Sequence, residues 1–333
     1  PLDMIEKYGA DALRLSLVIG STPGNDMRLY EEKIAGYRNF VNKIWNASRF
    51  AIMNLSDEDK TVEFAPEMIK TSADKWIITK LQNLTKEVEE DFAQHRYSDA
   101  GNKIYEFLWS KYCDWYLEMS KGEAQNPAVL LEVLRNILKL LHPFTPFVTE
   151  KLWQYTNPGE DLISAAWPQY KPELVFAEPA LEQEKVINTI SEIRRLRAES
   201  KVEPAKKIEA IIYTQNSEET IKENTEAISM LARVGDLKVT KEKPEFSSAK
   251  KAFIDDIEIV LPLKGMIDFE KEKKRLLKEV EEKEKFAKSL ESKLGNPGFT
   301  SNAPEAVVEK EKGRLKTTQE EVEKLKLQLQ SLG

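Results

Sequence analysis

The sequence predicts a mostly α-helical protein built from a helical bundle, a small α+β domain and a C-terminal antiparallel coiled-coil hairpin. Through most of the 333 residues, apolar side chains recur at three- and four-residue spacing, which is the pattern of one buried helix face. Residues 208–263 instead contain short runs rich in β-branched residues, which are typical of strands. Beyond residue 266 the apolar residues follow a heptad repeat, as they do in coiled coils.

The N-terminal part of the chain is predicted to be helical with short breaks. Residues 1–30 contain two short helical runs that meet at Gly9, followed by turn-forming residues at 21–26. A polar loop is expected at 56–70. The same periodicity predicts three long helices, at Glu31–Asn54, Ser72–Arg96 and Ala180–Ser200.

Two apolar helices form the expected centre of the bundle. Pro143 and Pro146 cannot lie inside a helix, so the second helix, over 129–141, is expected to stop near His142 and the next to begin near Pro146. A short polar link before residue 129 predicts that the pair is antiparallel. The first helix carries its stripe at Ile104, Phe107, Leu108, Tyr112, Trp115 and Tyr116.

The α+β domain is predicted from four strand-like runs and one helix at Ser217–Ala232. Asp255 and Asp256 fit a hairpin turn between the last two strands. The strands are expected at Ile208–Tyr213, Asp236–Thr240, Lys250–Ile254 and Ile257–Leu263.

In the hairpin, two heptad segments flank a tip rich in glycine and proline at 295–304. Lys273 and Lys283 interrupt the first segment, and Glu311 and Thr318 interrupt the second. Each arm has about 27 residues and hence a length of roughly 40 Å. The predicted domains are therefore 1–30, 31–202, 203–265 and 266–333.

Composition argues against several classes of protein. The net charge of −7 excludes a globally basic nucleic-acid binder but permits a local basic face. The one cysteine, Cys113, cannot supply a disulfide or a zinc cluster and fits a reducing compartment. No apolar run reaches the roughly 18 residues that a membrane span needs. The sequence shows no acid–base pair and no phosphate-binding glycine loop, so no catalytic residue, metal site or membrane partner is predicted.

One face of the helix at 31–54 is rich in hydrogen-bond donors. Such donors can bind base edges and phosphates, and Phe50 can stack on an unpaired base. The alternative is an ordinary bundle helix with Phe50 in the core, which the spacing alone favours; Trp45 is assigned to the core in both cases. The residues of this candidate site are Arg38, Asn39, Asn42, Lys43, Asn46, Arg49 and Phe50.

The distal half of the hairpin is a second candidate surface. Residues 283–316 carry eight basic and five acidic residues, whereas residues 1–265 have a net charge of −8. The basic side chains can bind a phosphate backbone, or they can only solvate the outer heptad positions. They are Lys283, Lys285, Lys288, Lys293, Lys310, Lys312, Arg314 and Lys316.

Two smaller features have structural alternatives. The cluster of Arg194, Arg195, Arg197 and Lys201 fits phosphate contact or simply a solvated helix end. His142 fits a structural hydrogen bond rather than a ligand or a base. The chain begins at Pro1 instead of methionine, which suggests a piece cut from a longer protein.

Three stretches, Gly9–Arg14 (GADALR), Gly36–Phe50 (GYRNFVNKIWNASRF) and Leu141–Phe147 (LHPFTPF), resemble a known family. Their likeness is to the C-terminal half of class I aminoacyl-tRNA synthetases for branched aliphatic amino acids. The hairpin segments Leu294–Phe299 and Ala303–Val308 are similar to the valyl-tRNA synthetases in particular. The His-Ile-Gly-His and Lys-Met-Ser-Lys-Ser motifs of this family are absent.

The resemblance implies a tRNA-recognition fragment that lies downstream of the second of these motifs and lacks the catalytic and editing domains. It implies a stem-contact segment at 1–30, an anticodon-binding bundle and a tRNA-binding arm, and it favours RNA contact at both candidate surfaces. The full-length enzyme would attach valine to tRNA(Val) using ATP, and the fragment itself would need no cofactor. A cytoplasmic monomer with tRNA(Val) as its partner is expected.

Two alternatives stay open on the residues alone. One is a structural module whose bundle and coiled coil bind a protein partner. The other is the corresponding part of an isoleucyl-type synthetase. Bacterial enzymes of that type usually carry a C-terminal cysteine cluster for zinc, which a single cysteine cannot form.

Overall fold

The computed structural model describes residues 1–21, 24, 26–53, 55–121, 126–243, 249–262, 269–296 and 305–331. In these residues helices predominate and are accompanied by one four-stranded sheet, so the predicted fold class is confirmed. The tip of the hairpin at 297–304 and part of the predicted turn at 21–26 lie outside the described residues. None of the described helices combines the length and the apolar character that a membrane crossing requires.

The first two helices are joined without a loop. α1 (Leu2–Tyr8) and α2 (Ala10–Val18) meet at Gly9, whose φ of 88° is a conformation that glycine adopts without strain. The next helix, α3 (Glu31–Met53), packs against both of them. Its apolar residues Phe40 and Ile44 are fully buried in the main core.

A hydrogen-bonded joint fixes α2 to a distant corner of the bundle. The carboxylate of Asp11 accepts from the backbone N–H groups of Phe147 and Val148, at 3.3 and 2.8 Å. Arg14, almost one turn later, donates to both carbonyls of the turn at 143–144. Asp11 thereby caps the start of a helix, where a negative charge is favourable. Burial raises the pKa of this carboxyl.

The bundle is completed by six further helices, of which α4, α5 and α7 begin with a side-chain cap and α7 and α8 with a proline. The helix ends predicted near His142 and Pro146 are confirmed, because α7 stops at Leu141 and α8 starts at Pro146. The bounds are α4 (Asp57–Thr61), α5 (Ser72–Ala93), α6 (Tyr97–Glu106), α7 (Pro127–Leu141), α8 (Pro146–Thr156) and α9 (Ala177–Glu199), with 3₁₀ turns at Pro66–Met68, Leu162–Ser164 and Pro172–Leu174.

The central helix departs from the prediction of a regular α-helix. α6 continues directly into a π-helix over Phe107–Tyr116 and ends with one α-helical turn, Leu117–Met119. Ten π-helical residues are unusual, since π-helix is mostly found as single turns and often at functional sites. Tyr112 and Tyr116 of this segment are completely buried.

Two other expectations were wrong in detail. The predicted polar loop at 56–70 contains α4, which begins with a capping box between Ser56 and Asp59. A serine followed three residues later by an acidic residue was the local signal for it. The predicted helix at 217–232 is divided into α10 (Glu218–Glu223) and α11 (Thr225–Ala232).

The sheet has the strand order β2-β1-β4-β3. β1 runs parallel to β2 and antiparallel to β4, and the hairpin of β3 and β4 turns at Asp255, as predicted. α9 links the two cores, since Ala180 and Ile187 pack in the bundle while Ile190 and Ile193 pack against the sheet. The strands are β1 (Ile208–Thr214), β2 (Val234–Thr240), β3 (Ala249–Ile254) and β4 (Ile257–Pro262).

The C-terminal arm consists of α12 (Phe269–Gly295) and α13 (Glu305–Ser331), which pack along each other. Two of the predicted heptad interruptions are nevertheless buried, Glu311 at 7% exposure and Thr318 at 6%. Lys283, a third, forms an ion pair with Glu321 of the opposite helix. These three polar residues are therefore part of the seam, whose apolar members include Val280, Ala287, Leu290 and Val322. The side chain of Lys273, the fourth predicted interruption, lies outside the described residues.

We expect Gly101→Ala to destabilise the bundle by about 1–3 kcal/mol, the usual cost of overpacking a core. A Cβ at this position of α6 would lie 2.9 Å from Cγ1 of Ile19 and 3.2 Å from Cε1 of Phe144. Gly36→Ala in α3 is the matched control, because beyond its own stretch of helix backbone no atom lies within 4 Å of the added Cβ. The free energy of unfolding of the control, measured in urea, should rise by about 0.5–1 kcal/mol. Equal stability of the two variants would contradict the packing described.

Candidate nucleic-acid interface

The seven candidate residues of α3 share one side of the helix. At 3.6 residues per turn, Arg38 to Phe50 span about 140° of the helix circumference. Six of the seven side chains are exposed and Lys43 is half-buried. The polar face predicted from the sequence therefore lies at the surface of the bundle.

Five of these residues line one open pocket of about 390 Å³, which we call the Phe50 pocket. Its first wall is α3, with Asn39, Asn42, Lys43, Asn46 and Phe50. Arg38 and Arg49 do not line the pocket. Their positions on the helix place both arginines beside Asn42, at the edge of the pocket. The opposite wall comes from the π-helix and the residues after it, Cys113, Leu117, Glu118 and Lys121.

Lys43 is held in place by the π-helix. Its ammonium group lies 3.2 Å from Oδ1 of Asp114 and 3.3 Å from the ring centroid of Trp109. Trp109 in turn stacks on Tyr105. Residues five apart in sequence approach one side of a π-helix, whose hydrogen bonds join residues i and i+5. The charge of Lys43 is thus partly compensated, and its contact with RNA stays a prediction.

Phe50 does not lie in the core, so the core alternative for this side chain is wrong. Its side chain is 39% exposed. The ammonium group of Lys121 lies 5.6 Å from the centroid of its ring and donates to both carboxylate oxygens of Glu118 at 2.7 Å. Trp45, in contrast, packs against the main core, edge-on to Tyr155, as predicted.

Sequence reasoning missed the second wall of the pocket. In the sequence, Cys113 argues only against a disulfide and a zinc cluster. The spacing of Cys113, Leu117 and Lys121 by four residues was a usable signal, since it places them in one row along a helix. What they face could not be inferred, because α3 lies about 70 residues earlier in the chain.

The basic cluster at the end of α9 is structural. Arg197 is nearly buried and donates to the backbone carbonyls of Arg233, Glu203 and Lys206. Arg195 pairs with two glutamates of its own helix. Arg194 lies 5.2 Å from the centroid of the Trp115 ring and donates to a backbone carbonyl. These guanidinium groups hold the α+β domain against the bundle or cover its surface.

His142 has the structural role expected from the sequence. Its Nδ1 lies 2.9 Å from Oγ1 of Thr149. Burial lowers the pKa of this imidazole. Among the described residues, no group of three or more His, Cys, Asp or Glu side chains is arranged to hold a metal ion.

On the arm, the predicted cations differ in their surroundings. Lys285 pairs with Glu281 on its own helix, and Lys293 and Arg314 share Glu311. Lys312 pairs with a neighbouring glutamate. The charge of Lys288 contributes to lowering the pKa of Glu284. Lys310 and Lys316 are exposed and form no ion pair with a described residue.

Comparison with known proteins gives two matches to family models. Residues 74–212 match the anticodon-binding domain of tRNA ligase, and residues 268–333 match the valyl-tRNA synthetase tRNA-binding arm. The first match includes the second wall of the Phe50 pocket and begins after α3. α3 is nevertheless part of the same core, through Phe40 and Ile44.

Curated relatives match along essentially the whole chain. The valine–tRNA ligase of Geobacter sulfurreducens is 40% identical over 330 residues, which are 95% of this chain and 37% of that protein. Those of Syntrophotalea carbinolica and Carboxydothermus hydrogenoformans are 38% and 39% identical over all of this chain and 39% of theirs. The chain thus spans about two fifths of the length of these relatives. A solved ternary complex, Agrobacterium radiobacter K84 agnB2 LeuRS-tRNA-LeuAMS, aligns at 23% identity with a TM-score of 0.45, over 54% of this chain and 22% of that one.

We expect the thiol of Cys113 to react slowly with iodoacetamide at neutral pH. Burial raises its pKa to about 12, so only a minute fraction is thiolate at pH 8. The alkylation rate should rise about tenfold per pH unit between pH 7 and 9 and increase sharply in urea. A rate that levels off near pH 8.5, measured by mass spectrometry on the folded protein, would show an ordinary exposed thiol.

Proposed function

Because the chain belongs to the valyl-tRNA synthetase family and carries its anticodon-binding domain and tRNA-binding arm, we propose that it is the tRNA-recognition part of a valine–tRNA ligase. The whole enzyme would use ATP to attach valine to tRNA(Val) in the cytoplasm. This part would act as a monomer in binding the tRNA and would hold no cofactor itself. The observation that carries the proposal is the Phe50 pocket, which places donors and an aromatic ring on one face of the bundle.

The Phe50 pocket fits recognition of an unpaired base. Its volume of about 390 Å³ lies within the usual range for small-ligand sites. The amides of Asn39, Asn42 and Asn46 can each donate to and accept from base edges. Phe50 offers an exposed ring for stacking, the interaction by which proteins hold splayed bases of single-stranded loops.

Charged residues around the Phe50 pocket can bind the other parts of the same nucleotides. Arg38 and Arg49 are exposed beside it and can bind phosphates with their planar donors. Glu118 supplies an acceptor for an exocyclic amino group. Valine codons begin with GU, so valine anticodons end in A and C, and both of these bases carry such an amino group.

The arm fits a contact with the phosphate backbone elsewhere on the tRNA. Lys310 and Lys316 offer ammonium groups that form no ion pair with a described residue. They belong to the basic distal half of the hairpin, residues 283–316, in an otherwise acidic protein. Phosphate contacts position a nucleic acid but do not distinguish sequences. We therefore assign sequence discrimination to the bundle and general affinity to the arm.

We expect Phe50→Ala to weaken binding of tRNA(Val) by about 1–3 kcal/mol, the usual loss for one stacked base. Because the ring is partly exposed, the free energy of unfolding should fall by less than the 3–5 kcal/mol typical of a buried phenylalanine. Phe147→Ala is the matched control, since that ring is 64% exposed and lies outside the pocket. Binding and melting curves are measured for each variant.

The result also separates the proposal from its rival, a module that binds only a protein partner. A chain that binds no tRNA at any salt concentration would support the rival. Equal affinities of Phe50→Ala, Phe147→Ala and the unchanged chain would remove Phe50 from the interface.

For the arm, we expect the double variant Lys310→Gln, Lys316→Gln to flatten the salt dependence of tRNA binding by about one unit per lost phosphate contact. Discrimination between a valine anticodon and another anticodon should not change. Lys324→Gln serves as the control, because this exposed lysine of α13 lies nearer the base of the arm. If Lys324→Gln flattened the slope equally, the contact would not be confined to the distal half.

A further inference from the structure

A second, larger cavity lies between the bundle and the α+β domain. This cavity of about 630 Å³, which we call the interdomain crevice, is lined on one side by the residues that open α5. The other side is formed by α10 and α11, together with Pro179 and Glu182 of α9. The carboxylate of Glu182 is paired with Lys185 and accepts from the hydroxyl of Thr220. A crevice between two packed domains is often only a gap. Its position and its charges therefore decide whether it can bind a ligand.

The interdomain crevice and the Phe50 pocket adjoin. Lys121 lines both of them, with Leu117 on the pocket side and Met119 on the crevice side. The short segment 117–121 is therefore a ridge with one cavity on each flank. A strand of RNA that ran from one cavity to the other would cross this ridge at Lys121, whose ammonium group donates to Glu118.

We propose that the interdomain crevice binds the nucleotide next to the one stacked on Phe50, so that single-stranded RNA passes over Lys121 from one cavity to the other. This inference rests on the proposed function. It gives the α+β domain a direct part in RNA binding.

The charges of the crevice are arranged for one orientation of a nucleotide. Lys70 and Lys75, on the α5 side, form no ion pair with a described residue. Glu223 and Glu226, on the opposite side, are exposed carboxylates. The phosphate therefore lies toward α5, and a base amino group lies toward α11, where carboxylates accept hydrogen bonds and repel phosphate.

The surface between these two sides suits a base. Ala227 is half-buried, and Met230 of α11 is 45% exposed, so both offer apolar contact for one face of a ring. The volume accommodates a nucleotide, since small-ligand sites usually measure about 300–1,000 Å³. The buried carboxylate of Asp74 does not compete for cations there, because four hydrogen-bond donors already occupy it.

The test uses the full chain and valine anticodon stem-loops with 2-aminopurine at one loop position at a time. The first variant, Ala227→Phe, fills the crevice without changing the Phe50 pocket. The second, Lys70→Gln with Lys75→Gln, removes two cations that line the crevice. Lys250→Gln, an exposed lysine on β3, is the matched control.

We expect Ala227→Phe to weaken binding by about tenfold, within the range for one lost base contact. When 2-aminopurine is at the loop position next to the stacked base, its fluorescence change on binding should disappear. When it is at the position whose signal depends on Phe50, the change should remain. The lysine variant should flatten the salt slope by about 0.7 for each lost phosphate contact. Lys250→Gln should bind like the unchanged chain. If Ala227→Phe fails to fold, as seen by melting, the lysine variant decides the test.

Two outcomes overturn the inference and can be told apart. If Phe50→Ala weakens binding while both crevice variants bind like the unchanged chain, the crevice is only a gap between domains and the proposed function stands. If the unchanged chain binds none of the stem-loops or tRNA(Val), the proposed function fails and the crevice proposal fails with it.

Discussion

The buried carboxylate of Asp74 is the interaction on which the arrangement of the bundle depends. It accepts hydrogen bonds from the backbone N–H groups at 70 and 71, from the hydroxyl of Tyr116 at 2.7 Å and from Nδ2 of Asn126 at 2.8 Å. A carboxylate that is only 1% exposed is tolerable because all these donors converge on it. Burial raises the pKa of Tyr116, so the phenol stays protonated and donates. One side chain thus joins the starts of α5 and α7 to the end of the π-helix.

Both cavities follow from this joint. Since Tyr116 is fixed on the core side, the residues on the outer side of the same segment, Cys113, Leu117 and Lys121, are turned toward α3. The start of α5, held by the same carboxylate, forms one side of the interdomain crevice. Both cavities are therefore bordered by helix residues that a buried hydrogen-bond network holds in place. Such support keeps side chains in a fixed geometry for binding.

The N-terminal segment is likewise held in place by paired polar groups. Two stretches that carry the family resemblance, Gly9–Arg14 and Leu141–Phe147, are in contact through Asp11 and Arg14. The sequence gives each stretch separately but does not indicate that they meet. Gly101 completes this corner, because only a residue without a Cβ lets α6 approach Ile19 and Phe144 so closely.

The sequence by itself determined the helices, the strands, the antiparallel arm and the polar face of α3, because periodicity, prolines and caps act over a few residues. It did not determine the π-helix, the second wall of the Phe50 pocket or the structural role of Arg197. Each of these depends on contacts between residues distant in sequence, such as Lys43 with Asp114 or Arg197 with the carbonyl of Arg233. Local patterns carry no information about such partners. Tertiary packing alone decided which exposed polar residues face one another across a cavity.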